Sequence, residues 1–364
     1  MLEGLQIERA TTKKVKPEES KLGFGNYYTD HMFIMNYEEG KGWFNPRVIP
    51  YQPIVLDPAA KVFHYGQTIF EGLKAYRTKD GRVLLFRPEK NFLRMNRSNE
   101  RLSVPELDPN KAVEALKQLI QVDQDWIPSE EGNSLYIRPY VIATQAQLGV
   151  APSTEYMFII IMSPVGAYYP EGVNPVKIYV ESDYVRSVKG GVGEAKTAGN
   201  YAAGLKAQEL AKDKGYTQVL WLDGVHRKYI EEVGSMNVFF KIGGVIHTPA
   251  LSGSILDGIT RNSIIHLLRH WGYEVEERAI EIGELYEASK QGKLEEAFGT
   301  GTAAVISPIG ELNWQDEVLV INNGKTGELS QKLYDTLTGI QKGELEDPFG
   351  WMVQAAVFDS QLAK

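Results

Sequence analysis

The run Lys189-Gly-Gly-Val-Gly-Glu-Ala-Lys-Thr-Ala-Gly-Asn-Tyr201 sets Lys196 at the end of dense glycine and just ahead of a helix. Glycine at that density lets backbone pass close to a bound group. Two chemistries want a lysine there. In a phosphate loop it would face a nucleotide, and Ala195-Lys196-Thr197 misses the G-x-x-x-x-G-K-[ST] pattern by alanine for glycine, with Gln218–Leu222 and Asp223 as the strand and metal-binding carboxylate. Against this, the preceding Asp183–Lys189 is polar, whereas a phosphate loop leaves a buried strand directly. Ala195 would also crowd the closest backbone approach, and Asp223-Gly224 is a ready-made turn. In the second chemistry the amine attacks an aldehyde cofactor, which requires a lysine that can be neutral and groups that tune the ring it bonds. An isolated loop lysine would be read as solvated; its company decides.

Downstream residues supply that company. Glu231-Glu232-Val-Gly-Ser-Met-Asn237 sets a carboxylate against a Gly-Ser turn entering an apolar strand. The ring of pyridoxal phosphate (PLP) acts as an electron sink when its pyridine nitrogen stays protonated, and a buried carboxylate keeps it so. Adjacent strand residues face opposite ways, so only one of Glu231 and Glu232 can do this, and spacing does not choose between them. Either alone reads as a surface charge. Leu251-Ser-Gly-Ser-Ile-Leu-Asp-Gly-Ile-Thr-Arg-Asn262 leads into a helix whose free N–H groups near Ile259 and Thr260 can hold a phosphate, although a plain Thr N-cap is the ordinary reading. Phe298-Gly-Thr-Gly-Thr-Ala-Ala304 offers a second nest of backbone donors, or else a bulged strand. Arg94 lies among Arg87, Arg97 and Arg101 on a helix that otherwise reads as a solvated basic face.

The elements that must position these groups follow from periodicity. Leu73–Phe86 reads as two strands around a Lys79-Asp80-Gly81 turn, and Pro88 opens a helix. A second helix covers Asn110–Trp126, and strands follow at Ser134–Thr144 and Tyr156–Met162. Residues 163–175, dense in Gly, Pro and Tyr, read as an interdomain loop. Beyond it come strands at Val176–Val180, Gln218–Leu222, Met236–Ile242 and Glu274–Ile280, helices at Tyr201–Gly215, Thr260–Trp271 and Gly283–Lys290, and one interrupted strand over Glu296–Pro308. The expectation is an α+β (mixed α/β) chain with mixed sheets: a small N-terminal domain over 1–162 and a large C-terminal domain over 176–364.

Composition narrows the function. The chain has 364 residues, 43% of them hydrophobic, enough for two cores. A formal charge of -8 gives no attraction to nucleic acid or anionic membranes. The absence of cysteine removes disulfides, thiolate nucleophiles and Cys-ligated metals together. The histidines form no metal-ligand pattern, so no metal is expected. Tyr156–Met162, the longest apolar run, is too short to cross a bilayer, and Met1–Ser20 has no apolar signal core, which points to the cytoplasm.

These segments, in this order, resemble the branched-chain aminotransferases of PLP fold type IV over nearly the whole chain. Thr29-Asp-His-Met32, His64-Tyr-Gly66, Phe70-Glu-Gly-Leu-Lys-Ala75, Leu85-Phe-Arg-Pro88, Ser134-Leu-Tyr-Ile-Arg-Pro139, Pro164-Val-Gly-Ala-Tyr168, Gly190-Gly-Val-Gly193, Gln218–Leu222 and the Glu-Val-Gly-Ser-Met-Asn run carry the likeness. The resemblance implies that Lys196 holds the cofactor as a Schiff base and shuttles the substrate Cα proton. It assigns Glu232 to the pyridine nitrogen, Tyr201 to the ring hydroxyl, and Arg94, Ile259, Thr260 and Thr302 to the phosphate. Thr302 and Ala303 would bind the substrate α-carboxylate, while Phe24, Phe70, Tyr136, Tyr168 and Ser235 line an apolar pocket. Arg138 and Tyr65 would meet the distal carboxylate of glutamate, with Tyr65, Leu148 and Val150 supplied by the second copy of a homodimer. The reaction implied is ping-pong transfer of the amino group between leucine, isoleucine or valine and 2-oxoglutarate. Two departures stand out: Ala304 and Ser307 replace a mammalian Cys-x-x-Cys pair, and Ser235 replaces a Thr. A D-amino-acid aminotransferase or aminodeoxychorismate lyase would share Lys196 and Glu232 but differ in the pocket, and a degenerate P-loop nucleotide hydrolase is the rival from another class.

Overall fold

The computed structural model describes residues 2–166, 168 and 173–358. The chain divides into two compact units, one made of Met1–Pro170 with Gly339–Lys364 and the other of Glu171–Thr338.

The first unit is built on a mixed sheet. Its strands are β1 (Gln6–Ile7), β2 (His31–Glu38), β3 (Gly42–Pro50), β4 (Thr68–Phe70), β5 (Leu73–Arg77), β6 (Arg82–Phe86), β7 (Ser134–Ala143), β8 (Glu155–Val165) and, from the far end of the chain, Met352–Val357, labelled β18. They run in the order β1-β3-β2-β8-β7-β5-β6-β18, with β4 also on β7. The helices are α1 (Lys61–Tyr65), α2 (Pro88–Arg101) and α3 (Pro109–Val122). The hairpin expected over Leu73–Phe86 forms, and Gly81 takes the positive φ (83°) that its turn needs. Pro88 opens α2 as expected, and the Asp108 carboxylate caps α3 by accepting the N–H groups of Asn110 and Lys111. Alternation along the strands decides what faces what. Tyr156, Phe158, Ile160 and Met162 of β8 and Leu135, Ile137 and Val141 of β7 join Phe92, Met95, Leu116 and Leu119 of the helices in one core. The intervening residues of β7, including Tyr136 and Arg138, therefore point to the opposite face.

The second unit contains β9 (Val176–Val180), α4 (Ala198–Asp213), β10 (Gln218–Leu222), β11 (Ile230–Val233), β12 (Asn237–Ile242), β13 (Val245–Pro249), α5 (Ile259–His270), β14 (Val275–Arg278), α6 (Ile282–Lys290), β15 (Leu294–Gly301), β16 (Val305–Trp314) and β17 (Glu317–Val320). The strand order is β11-β10-β9-β16-β15-β12-β13-β14, with β17 on β16. Ala207 and Ala211 of α4 pack on Val219 and Trp221 of β10, so small residues let the helix lie close to the sheet. Helix α7 (Glu328–Gln341) follows, its first turn held by Glu296, whose carboxylate accepts from the N–H groups of Leu329 and Ser330.

Three expectations need correction. Residues 176–364 do not form one domain, because β18 pairs antiparallel with β6, Met352 opposite Phe86, and returns the C-terminal stretch to the first unit. Glu296–Pro308 is not one interrupted strand but two antiparallel ones: β15 turns back at Thr302–Ala304, and Thr300 pairs with Ile306. Ser163–Val165 belong to β8 and not to a loop, and of the remaining stretch residues 167 and 169–172 lie outside the described residues.

Candidate active site

In the second unit, β9 ends at Val180, and the chain wanders through a loop before α4 begins at Ala198. Lys196 therefore does not leave a strand as a phosphate-loop lysine must. Asn200, on the first turn of α4, folds the glycine-rich loop over its own helix: its amide donates to the carbonyls of Val192 and Ala195, both at 2.7 Å. Tyr201 sits beside Asn200 on the same turn, and the Lys196 Nζ donates to its hydroxyl at 2.7 Å. Asp223 is occupied as a turn former, accepting from the N–H groups of Val225, His226, Lys228 and Tyr229, and these bonds hold its carboxyl below the usual range. The metal-binding role in the nucleotide-hydrolase reading is thereby filled by backbone.

The two β11 carboxylates are both buried, at 5% and 3% exposure for Glu231 and Glu232, so neither is the surface charge that each alone suggested. They differ in surroundings. Glu232 lies opposite Trp221 in the strand register and shares an open pocket of about 390 Å³ of empty space with Tyr201, Ser235, Gly193 and Trp221. Its Oε1 accepts the Leu256 N–H at 2.8 Å, and its Oε2 is 3.3 Å from Arg186 Nε, an ion pair without hydrogen-bond alignment. Arg186 is fixed in turn through Nη2, which donates to Gly193 O at 3.2 Å and to Ser254 O. A guanidinium beside a carboxylate favours its ionised form. The carboxylate can therefore keep a proton on a ring nitrogen placed against it. Sequence reading missed Arg186, which lies in the polar stretch ahead of the glycines.

Leu256, the Glu232 partner, leads through Gly258 to the first turn of α5. Gly258 packs so close to Asn237 that a Cβ there would fall 1.9 Å from its Oδ1. Ile259 and Thr260 are the first two residues of the helix, where backbone N–H groups have no carbonyl four residues back. Thr302 and Ala303 form the turn after β15, and α5 packs against that strand. The donor set suits an anion. A lysine amine bonded to a phenol, a buried carboxylate paired with an arginine and two nests of backbone donors within one unit fit the aldehyde, pyridine nitrogen and phosphate of PLP.

The first unit carries the rest of the expected residues. Phe24 meets Tyr136 edge-on with ring centroids 4.9 Å apart and Tyr168 at 6.0 Å. The Arg138 guanidinium lies 4.6 Å from the centroid of the Phe70 ring and donates through Nη2 to the Tyr136 hydroxyl at 3.1 Å. Its buried Nε has no hydrogen-bond partner among the described residues. Gly72 makes room, since a Cβ there would fall 2.2 Å from the Tyr136 hydroxyl oxygen. The five residues Phe24, Phe70, Tyr136, Arg138 and Tyr168 are thus brought together as an aromatic wall around one guanidinium. Burial raises the Tyr168 phenol, keeping that part of the wall neutral.

Arg94 is not on a solvated face. It is 4% exposed, and its Nε and Nη2 bind both oxygens of the fully buried Glu71 at 2.8 Å each. Asn91 donates to the same carboxylate. Glu71 was visible only as part of the Phe70-Glu-Gly-Leu-Lys run. Tyr65 and Leu148 also meet, through the Tyr65 hydroxyl and the Leu148 carbonyl, but Tyr65, Leu148 and Val150 are 41%, 63% and 86% exposed.

Comparison with known proteins gives a consistent result. The family model described as amino-transferase class IV matches residues 68–312. The chain is 64% identical over 352 residues to Branched-chain-amino-acid aminotransferase 2 of Bacillus subtilis (strain 168), covering 97% of each. The solved branched-chain amino acid aminotransferase of Escherichia coli superposes with a TM-score of 0.75 at 26% identity, covering 90% of this chain and 99% of that one. A T.th. branched-chain amino acid aminotransferase complexed with N-(5'-phosphopyridoxyl)-L-glutamate gives a TM-score of 0.70 at 25% identity, covering 88% and 98%.

Proposed function

The chain belongs to the class IV aminotransferases and, within them, to the branched-chain-amino-acid aminotransferases, and from that premise we propose that it moves the amino group between L-leucine, L-isoleucine or L-valine and 2-oxoglutarate, using PLP on Lys196. When bound, the cofactor supplies an electron sink for the bonds at the substrate Cα. Lys196 would anchor it through Nζ and, once displaced by the substrate amine, move the Cα proton. The Tyr201 hydroxyl, 2.7 Å from that amine, orients Nζ and would bond the ring hydroxyl. Glu232, its charged form favoured by the Arg186 ion pair, would hold a proton on the pyridine nitrogen. Ile259, Thr260 and Thr302, with Arg94 oriented by Glu71, would hold the phosphate.

Thr302 and Ala303 would present N–H groups to the substrate α-carboxylate. Phe24, Phe70, Tyr136, Tyr168 and Ser235 would enclose an aliphatic side chain and exclude water. Arg138 would meet the distal carboxylate when glutamate is the substrate; its Nε, without a hydrogen-bond partner among the described residues, and the Tyr136 hydroxyl beside it suit that role. The T.th. relative was solved with a phosphopyridoxyl derivative of L-glutamate, which agrees with glutamate as the second amino donor. We read the enzyme as a cytoplasmic homodimer in which the exposed Tyr65, Leu148 and Val150 are covered by, and contribute to, the second copy.

The observation that carries this reading is the Lys196–Tyr201 contact in the same unit as a buried, arginine-paired Glu232. Half-reactions with single amino acids, followed by cofactor absorbance, test it. L-Leucine, L-isoleucine, L-valine and L-glutamate should each bleach the absorbance of the aldehyde form. Bleaching by D-alanine but not by L-leucine would overturn the substrate assignment.

A further inference from the structure

Phe24, the first ring of the aromatic wall, lies on a segment with no strand to hold it. Between β1 and β2 the described chain outside strands forms only a short 3-10 turn, Glu19–Lys21. The Phe24 ring is exposed and meets Tyr136 and Tyr168 edge-on. Edge contacts of that kind are worth less than the entropy lost in ordering several residues of chain. The segment needs another anchor.

Glu19, on that 3-10 turn, provides it. Its Oε2 accepts the N–H of Glu130 at 2.7 Å and that of Ser129 at 3.0 Å. Its Oε1 accepts the Ser129 N–H at 3.0 Å and the Ser129 hydroxyl at 3.2 Å. The Asn133 amide donates to the Glu19 carbonyl at 3.3 Å and to Oε2 at 3.4 Å. Partial burial opposes the charge, yet the N–H groups of Glu130 and Ser129, with the Asn133 and Ser129 side chains, hold this carboxyl below its usual range. Each donor aimed at it therefore makes a charge-assisted bond at neutral pH.

What Glu19 grips is the turn that opens β7. The Glu130 carbonyl accepts the Asn133 N–H at 3.2 Å, β7 begins at Ser134, and Tyr136 follows within it. Between Glu19 and Phe24 the chain has little slack. Leu22 is buried, Gly23 takes a φ of 59°, and the Gly23 carbonyl accepts the Gly166 N–H at 2.9 Å, just past the end of β8. One carboxylate thus ties the segment ahead of Phe24 to the turn ahead of Tyr136, and the two rings meet 4.9 Å apart.

We propose that Glu19 is a positioning residue for the substrate pocket, holding Phe24 against Tyr136 so that the ring closes on an aliphatic side chain; this rests on Phe24 being a wall of that pocket, as proposed above. Among the described residues the Glu19 carboxylate bonds that turn alone, and no group proposed to hold the cofactor. Freeing it lowers affinity for the side chain and leaves the chemical step as it was.

The half-reaction of the holoenzyme with L-leucine, followed by cofactor absorbance, separates an apparent Kd from a limiting rate. Glu19→Ala should raise that Kd roughly fivefold or more, with the limiting rate within about twofold of wild type. Phe24→Ala should raise it at least as much. Adding Glu19→Ala to Phe24→Ala should then cost less than about twofold, since the clamp acts through that ring. A wild-type Kd in Glu19→Ala beside a raised one in Phe24→Ala overturns the role of Glu19 and leaves the pocket assignment standing. Effects of the two substitutions that simply multiply also overturn it, because they mark a general structural role. An unchanged Kd in Phe24→Ala removes Phe24 from the pocket, and the proposal goes with that assignment. If Glu19→Ala does not fold, Asn133→Ala, which removes two bonds to Glu19, replaces it, and a wild-type Kd there overturns the proposal.

Discussion

The two units contribute different kinds of residue. The second holds ionisable groups fixed by specific partners: Lys196 by a hydrogen bond to Tyr201, Glu232 by the Leu256 N–H and by an unaligned ion pair with Arg186. The first holds rings fixed by one another, with Phe24, Tyr136 and Tyr168 in edge contact and Arg138 laid on Phe70. Arg94, locked to Glu71, is the one cofactor-binding candidate in the first unit. The contrast separates chemistry from choice of substrate. A group that acts on the cofactor serves every substrate, whereas a wall residue serves only the side chain it touches.

The largest predicted effect breaks the chemical half. Lys196→Ala should cut single-turnover rates with L-leucine and with L-glutamate alike, by roughly 10⁴-fold or more, since both attachment and proton transfer are lost. A loss confined to one substrate would show that Lys196 belongs to recognition. Glu232→Gln should come next, at about 10²-fold on both half-reactions. It retains an acceptor for Leu256 but leaves Arg186 buried beside a neutral group, so the melting temperature should fall too. Arg138→Leu should split the substrates: roughly 10–100-fold loss in kcat/KM for 2-oxoglutarate and L-glutamate, but only a few-fold change for L-leucine. An equal loss on both would remove the separation between wall and chemistry.

How much of this could be read from sequence depended on distance along the chain. Lys196 and Tyr201 are five residues apart across a helix start, so the chain itself keeps them near each other, although only the family resemblance gave Tyr201 its role. The Leu73–Phe86 hairpin and the Pro88 start of α2 were equally local. Phe24, Tyr136 and Tyr168 come from distant segments, and only resemblance to a family grouped them. The pairing of β18 with β6 was invisible because periodicity reports a strand's faces and not its partner. The turn between β15 and β16 was misread because it is followed by Val305 at φ 62°, a β-branched residue where glycine or asparagine is the usual signal. Arg186 and Glu71 escaped as partners for a similar reason: charged residues in unremarkable runs look solvated until the fold buries them.

A finer form of the same comparison lies within β11, where two glutamates differ only in what surrounds them. Glu232 has the Arg186 guanidinium 3.3 Å away and a backbone donor; Glu231 has one hydroxyl and an oxygen with no hydrogen-bond partner among the described residues, with Arg186 acting on it only through charge. Burial raises the Glu231 carboxyl above its ordinary value of 4.5. The folded chain therefore keeps a proton that the unfolded chain releases as pH rises past that value. Stability contributed by this group is lost as pH climbs through the window up to the folded pKa, and it stays lost above it. Glu231→Gln has no such proton to lose. At pH 8 it should be more stable than wild type, by on the order of 1 kcal/mol, and the difference should close at pH 4, where the acid is largely protonated in both states. Urea unfolding at the two pH values measures this directly. A glutamine variant less stable at pH 8 would mean that Glu231 already has the donor its buried oxygen lacks.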